Sequence, residues 1–305
     1  MAKRVRVCSI SITYSDKKKL EDNLKPVFNL LREAGKFSPD IVCLPETFPF
    51  IGIPIEESLK FAEPIPGKIT ESLSQIAKEH GFWLIGGTFE KNKQSLYNSC
   101  FVMDEKGKIK GIYHKMFPTM GELENGITPG KEPLVLDTPW GKIGFAICFD
   151  MNFKEVMDSL GDRGAKLVFF ITFFHGGMFN SIRSLTNSYY IVSARVMGKE
   201  GRGGWIVDPL GKVLKTASAK NQIICKDINL DFITAQMNWS EKQIDNLRKR
   251  CRREVLIETA EPEEIVMITS QVDGRNAEEI AKEFKIELLK DFLARARKLR
   301  VKNLR

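Results

Sequence analysis

Short, almost wholly apolar runs limit what this chain can fold into more than any other feature. "DIVCLPE" (40–46), "GKIGFAICFD" (141–150) and "AKLVFFIT" (165–172) offer no consistent polar face. Runs of this length are strands buried on both sides, as in sheets covered by helices. Helix-like segments alternate with them. In "SDKKKLEDNLKPVFNLLREAG" (15–35) the apolar positions Leu20, Leu24, Val27 and Leu31 step by four, three and four, which makes one face. Ser15 or Asp16 is its expected N-cap, Gly35 its end, and Pro26 is expected to bend or split it.

The same reading gives a helix over 64–81 headed by Thr70, then strands over 82–90, 96–104 and 107–115, the last two forming a hairpin around "DEKG". Strands over 132–139 and 141–150 follow, then a helix over 153–163, a strand over 165–172 and a helix over 179–198. Two closing strands occupy 203–217 and 222–230. No repeat or linker interrupts this mixture, so residues 1–239 are expected to form one layered α/β domain. Residues 240–305 read as a mostly helical, basic extension that packs on a neighbouring subunit.

Composition narrows the function classes. A chain of 305 residues at 43% hydrophobic and 28% charged is an ordinary globular protein. Its start, "MAKRVRVCSISITY", reads as a first strand and not a leader, and no window reaches the ~18 apolar residues of a membrane span. Six cysteines without a CxxC predict reduced thiols and a cytoplasmic setting. The three histidines show no metal-ligand spacing, so no metal is expected. The net charge of +8 gathers partly in "NLRKRCRRE" (246–254) and "LARARKLRVKNLR" (293–305). Neither interleaves aromatic residues as single-strand binders do, so they read as solvated faces or subunit contacts, with no nucleic-acid partner expected.

The chemistry lies at strand ends, where open α/β sheets bind ligands. "DIVCLPE" ends in Glu46, "GIYHK" in Lys115 and "GFAIC" in Cys148. Each alone has a bland reading: a turn cap, a solvated lysine, a buried thiol. Together they are complete for acyl transfer. A thiol of pKa about 8.5 needs a base to attack an amide, and a carboxylate can take its proton. Glu46 is the better base than His114, whose side chain points to the opposite strand face from Lys115. Lys115 and the backbone N–H of Phe149 are the candidate oxyanion donors.

Glu46 in "CLPETF", Lys115 in "YHKMFP" and Cys148 in "ICFDMNF" resemble the Glu–Lys–Cys triad of the nitrilase superfamily, the carbon–nitrogen hydrolases. The residues lie 69 and 33 positions apart, and "AEPIPGKITESLSQIAKEHG", "TPGKEPLVLDTPWGKIGFAIC" and "GGWIVDPLGKVL" extend the likeness over about 4–232. The resemblance implies a four-layer αββα sandwich and hydrolysis of an amide or nitrile through an acyl-thioester, here a small amide or N-carbamoyl compound, with a nitrile as the alternative. It also implies no cofactor and a homodimer or larger assembly through helices near 153–163 and 179–198. The family often adds a second glutamate, for which "GELENGITPG" offers Glu122 or Glu124. Thr172, Phe173, Phe174 and His175 are implied to line the substrate site. Phe149-Asp150 departs from the Trp-Glu of true nitrilases, which weakens a nitrile substrate, and Asn152 stands where many amidases carry Arg. A non-catalytic module acting through the basic C-terminal helix is the alternative of another class.

Overall fold

The computed structural model describes residues 4–14, 16 and 19–304. It divides into a first unit, Val5–Ile228, and a second made of Arg4 together with the chain from Asn229 onward. The first unit opens with β1 (Arg4–Ile10), β2 (Ile12–Thr13), α1 (Leu20–Gly35), β3 (Ile41–Cys43), α2 (Ile55–Leu59) and α3 (Lys68–His80). Next come β4 (Trp83–Asn92), β5 (Ser95–Met103), β6 (Ile109–His114), α4 (Met120–Glu124), β7 (Val135–Thr138) and β8 (Gly141–Ile147). It continues through α5 (Lys154–Asp162), β9 (Leu167–Thr172), α6 (Met178–Asn187) and β10 (Tyr190–Met197). The unit closes with β11 (Arg202–Val207), β12 (Val213–Ser218) and β13 (Ile223–Asn229).

Two sheets result. One runs β13-β1-β3-β4-β5-β6, the other β12-β11-β10-β9-β8-β7 with β2 beside β10. Helices cover the outer face of each. Val27 and Leu31 of α1 and Ile69, Leu73 and Ile76 of α3 pack on Cys8, Ile10, Val42, Leu84 and Phe101 of the first sheet. Met157 and Leu160 of α5 pack on Ala146, Val168 and Phe170 of the second. Each such aliphatic side chain stabilises the fold by about 1.5–3 kcal/mol when fully buried. The inner faces meet directly: Ser9 Oγ donates to Ser193 O at 2.7 Å, and Gly204 N donates to Ser11 Oγ at 2.9 Å. The expected αββα sandwich is therefore present. Strands β3 and β4 run parallel, as do β8, β9 and β10, which directs Glu46, Cys148 and Thr172 beyond carboxyl ends.

Several local expectations are corrected. Helix α1 starts at Leu20 after Lys19, not at Asp16, and Ser15 lies outside the described residues. Pro26 sits inside α1 without splitting it, because its ring removes one donor while Val27 and Leu31 stay buried on the sheet. The segment 179–198 is not one helix: α6 ends at Ser188, in the left-handed region at φ 54°, and "YIVSARVM" becomes β10. Aromatic and β-branched residues favour the strand there. Cys8 and Cys225 are not reduced thiols but a disulfide between the neighbouring strands β1 and β13. The other four cysteines are free.

The second unit is more than helical. It contains β14 (Phe232–Gln236), α7 (Glu241–Arg250), β15 (Val255–Ala260), β16 (Ile265–Ser270), α8 (Ala277–Glu283) and α9 (Leu289–Asn303). β16 pairs antiparallel with both β14 and β15, and Leu288 bridges Ala235 on the free side of β14. The order Leu288-β14-β16-β15, with α7 and α8 as crossovers, is a split β-α-β arrangement. Ile233, Ala235, Val266 and Ile268 form its core with Ile244 and Leu247 of α7 and Ile280 of α8. Among the described residues no helix is long and apolar enough to cross a membrane.

The close approach of β11 to β10 within the second sheet gives a direct test. A methyl group at Gly204 would overlap the backbone carbonyl of Ser193. Gly204→Ala is expected to destabilise the protein by about 1–3 kcal/mol, read as a lowered midpoint in thermal unfolding.

Candidate active site

Glu46 follows β3 at the start of a tight turn in which Thr47 is left-handed at φ 34°. Gly87 on β4 makes room for that turn, since a Cβ there would stand 2.8 Å from Glu46 Cα and 2.7 Å from Thr47 N. Lys115 follows β6, its N–H donating to Asn98 O at 2.9 Å and its carbonyl accepting from Gly130 N at 2.8 Å. Both side chains are buried, Glu46 at 3% and Lys115 at 1% exposure.

The ammonium is shared between two carboxylates. Lys115 Nζ donates to Glu46 Oε1 and to Glu122 Oε2, each at 2.8 Å. Burial alone would lower the Lys115 pKa, but Glu46, Cys148 and Glu122 outweigh it and raise it above its usual value. Of the two candidate glutamates, Glu122 is buried on α4 and bonded to Lys115, while Glu124 is exposed. Thr119 fixes Glu122 by donating from its N–H at 2.7 Å and its hydroxyl at 2.9 Å. Burial pushes Glu122 up, yet the Lys115 charge and the bonds from Lys115, Asn98 and Thr119 hold it below the usual carboxylate range.

Cys148 sits at the end of β8 with φ 45°, a left-handed conformation that costs a non-glycine residue about 1–2 kcal/mol. The short helical turn Cys148–Asn152 follows at once, so the strand ends in an elbow. Asp150 holds that elbow. Its carboxylate accepts from Ile147 N at 2.9 Å, Phe117 N at 2.9 Å and Tyr113 Oη at 2.7 Å. Burial pushes Asp150 up to about 6 against those three donors. The Cys148 thiol is pushed up to about 12, first by burial and then by the Glu46 charge, with Lys115 and Thr172 opposing. The Lys115 ammonium does favour the thiolate, but burial and the Glu46 charge outweigh it and favour the thiol.

The structure places the other expected residues less uniformly. Thr172 is buried beside Cys148 and donates to Phe174 O at 2.7 Å. Phe173 contributes its backbone, its N–H donating to Glu46 Oε2 at 3.1 Å. His175 is turned to the loop and to Trp205: its Nδ1 accepts from Gly177 N at 3.2 Å and its ring stands edge-on to the indole at 4.8 Å. Burial and the charges of Arg195 and Arg202 lower its pKa. Phe149 follows the nucleophile position, with its ring against Phe153 at 5.2 Å. His114 faces away, pairing with Glu90 at 2.9 Å and stacking on Tyr97. Sequence reasoning missed Asn98, whose amide nitrogen donates to Glu46 Oε1 at 2.8 Å and Glu122 Oε1 at 2.6 Å. The signal was available as a lone carboxamide in the apolar strand "LYNSCFVM".

This set of groups, a thiol on an elbow beside a carboxylate and a shared ammonium, suits acyl transfer to sulfur. A carbon–nitrogen hydrolase family model matches residues 4–237. The chain belongs to the carbon–nitrogen hydrolase family. As a member it is an enzyme of carbon–nitrogen bonds other than peptide bonds. The deaminated glutathione amidase of Bos taurus is 31% identical to this carbon–nitrogen hydrolase over 257 residues, covering 75% of this chain and 77% of that protein. Omega-amidase NIT2-B of Xenopus laevis is 31% identical over 253 residues, covering 74% and 91%. Among solved structures, an amidase from Nesterenkonia sp. aligns with a TM-score of 0.64 at 21% identity, covering 74% of this chain and 90% of that one. A variant of that amidase bears the acetamide moiety of fluoroacetamide on its active-site cysteine and aligns with a TM-score of 0.66 at 20% identity, again over 74% and 90%. These structural likenesses carry the fold.

The elbow predicts the behaviour of Asp150→Asn. An amide cannot accept from all three donors, so one buried group loses its partner, at a cost of about 1–3 kcal/mol in stability. The fall in kcat is expected to exceed any rise in KM, measured by steady-state kinetics beside thermal unfolding.

Proposed function

We propose that this enzyme is a cysteine-dependent amidase that hydrolyses small amides or N-carbamoyl compounds through an acyl-thioester. The observation that carries this reading is the Lys115 ammonium held between Glu46 and Glu122 beside the Cys148 elbow. Burial favours the Cys148 thiol, and Glu46 takes its proton as sulfur attacks the carbonyl carbon. The S–C bond forms and the carbonyl π pair moves to oxygen, where Lys115 Nζ and the Phe149 N–H stabilise the charge. Protonated Glu46 then gives its proton to the leaving nitrogen, the C–N bond breaks, and ammonia or an amine departs. Water attacks the thioester carbon while Glu46 takes the water proton. The C–S bond breaks, the acid leaves, and the proton returns to sulfur. Glu122 holds Lys115 and does not exchange protons.

A homodimer or larger assembly belongs to the same reading, since α6 presents Met178, Phe179 and Ile182 at 77%, 42% and 44% exposure. The relatives' names make omega-amides and deaminated glutathione the first substrates to try, beside simple aliphatic amides, N-carbamoyl compounds and nitriles.

With ammonia release as the readout, Cys148→Ala is expected to abolish turnover without loss of folding by circular dichroism. Glu46→Gln is expected to lower kcat by about 10²–10⁴-fold, with slow acyl-enzyme formation in intact-mass spectra. Hydrolysis retained in Cys148→Ala would refute the nucleophile, and a preference for nitriles over all amides would refute the substrate class.

A further inference from the structure

We infer that Asn98 is a positioning residue for the general base: its carboxamide clamps Glu46 and Glu122 in one orientation and leaves a single Glu46 oxygen free to take the thiol proton. The inference rests on the roles proposed above for Glu46 and Cys148. Asn98 projects from β5, is 1% exposed, and spends both amide hydrogens on carboxylates, at 2.8 Å to Glu46 Oε1 and 2.6 Å to Glu122 Oε1. Lys115 bonds the same two side chains from the other direction. Four hydrogen bonds thus close a ring through Glu46, Lys115, Glu122 and Asn98.

The ring sorts the oxygens of the base. Glu46 Oε1 accepts two bonds, from Lys115 and Asn98, while Oε2 accepts only the Phe173 N–H at 3.1 Å. A carboxylate oxygen has two lone-pair sites, so Oε1 is filled and Oε2 keeps one for the thiol. The orientation of the amide follows from its neighbours, because a flip would turn its oxygen against two carboxylates. Among the described residues, Asn98 Oδ1 is buried without a hydrogen-bond partner. An orphaned buried acceptor is unfavourable, and the group is there for its donors.

The charges explain why a neutral double donor is used. Glu46 and Glu122 bring two negative charges to Lys115's one, and Cys148 lies close enough for its ionisation to be felt at Lys115. A second cation at position 98 would deprive Glu46 of its basicity, and an anion would oppose both carboxylates. The amide supports both acids without protonating either.

The test is Asn98→Asp with Asn98→Leu, read as pH profiles. The introduced carboxyl faces Glu46 and Glu122, so its pKa is raised. When ionised it repels both; when protonated it donates one of the two lost bonds. For Asn98→Asp, kcat/KM is expected to fall about 100-fold at pH 8 and less than about 10-fold at pH 5.5, with KM little changed. For Asn98→Leu, the acid limb of kcat/KM is expected to move to higher pH, because the carboxylates lose donors that favour their charged forms. If Asn98→Asp does not fold, the limb in Asn98→Leu reads the same effect. Carbamidomethylation of Cys148 by iodoacetamide, followed site by site in mass spectra across the same pH range, needs no substrate. There Asn98→Asp is expected to lag the wild type at pH 8 and to converge with it at low pH. A constant ratio between variant and wild type at every pH, or no loss, overturns the inference. Failure of the wild type to hydrolyse any amide overturns the proposed function instead, and the alkylation profile still reads the clamp.

Discussion

One buried ammonium holds the site together. Lys115 lies between Glu46 and Glu122 where water does not screen the three charges, and each carboxylate is further supplied with donors. A buried ion pair gains little over apolar packing, but removing one member leaves a charge without compensation, at a cost of about 3–5 kcal/mol. The cluster is therefore poor as stabilisation and effective as constraint. It fixes three segments at once: the turn after β3, the end of β6 and helix α4. Mutating Lys115 or Glu46 would disturb folding along with any chemistry, and for that reason the neutral Asn98 is a better probe.

Cys148 is constrained in a different way. Burial and the Glu46 charge favour its thiol over the opposing pull of Lys115 and Thr172. In the proposed mechanism, proton transfer to Glu46 accompanies attack. Backbone geometry supplies what electrostatics withholds: the left-handed Cys148 turns its side chain out of the strand, and Asp150 ties the following turn to Tyr113 and Phe117.

Glu46, Lys115 and Cys148 were legible in the sequence because each breaks an apolar run at its end, and strand ends are where α/β sheets carry ligands. Their neighbours were not. Asn98 and Asp150 act through side-chain bonds to groups 52, 24 and 37 residues away, and no local period marks such contacts. The Cys8–Cys225 bond spans 217 residues and exists only because β1 and β13 are neighbours in the sheet. The layered fold was legible from periodicity, but the break at Ser188 was not, as an amphipathic helix ran straight into an apolar strand. Basic composition hid β15 and β16 in the same manner, and with them the separate sheet of the second unit.

Asp150 has a wider consequence. Its three donors come from Tyr113 on β6, from Phe117 just beyond it and from Ile147 on β8, strands of two different sheets. One carboxylate thus works as a rivet between the layers, next to the lysine on one side and the cysteine on the other. Sliding of the sheets cannot change the spacing of the reacting groups without breaking it. Exposed side chains nearby, such as Met120, Leu123 and Phe174, carry none of these bonds and can change without moving Glu46, Lys115 or Cys148.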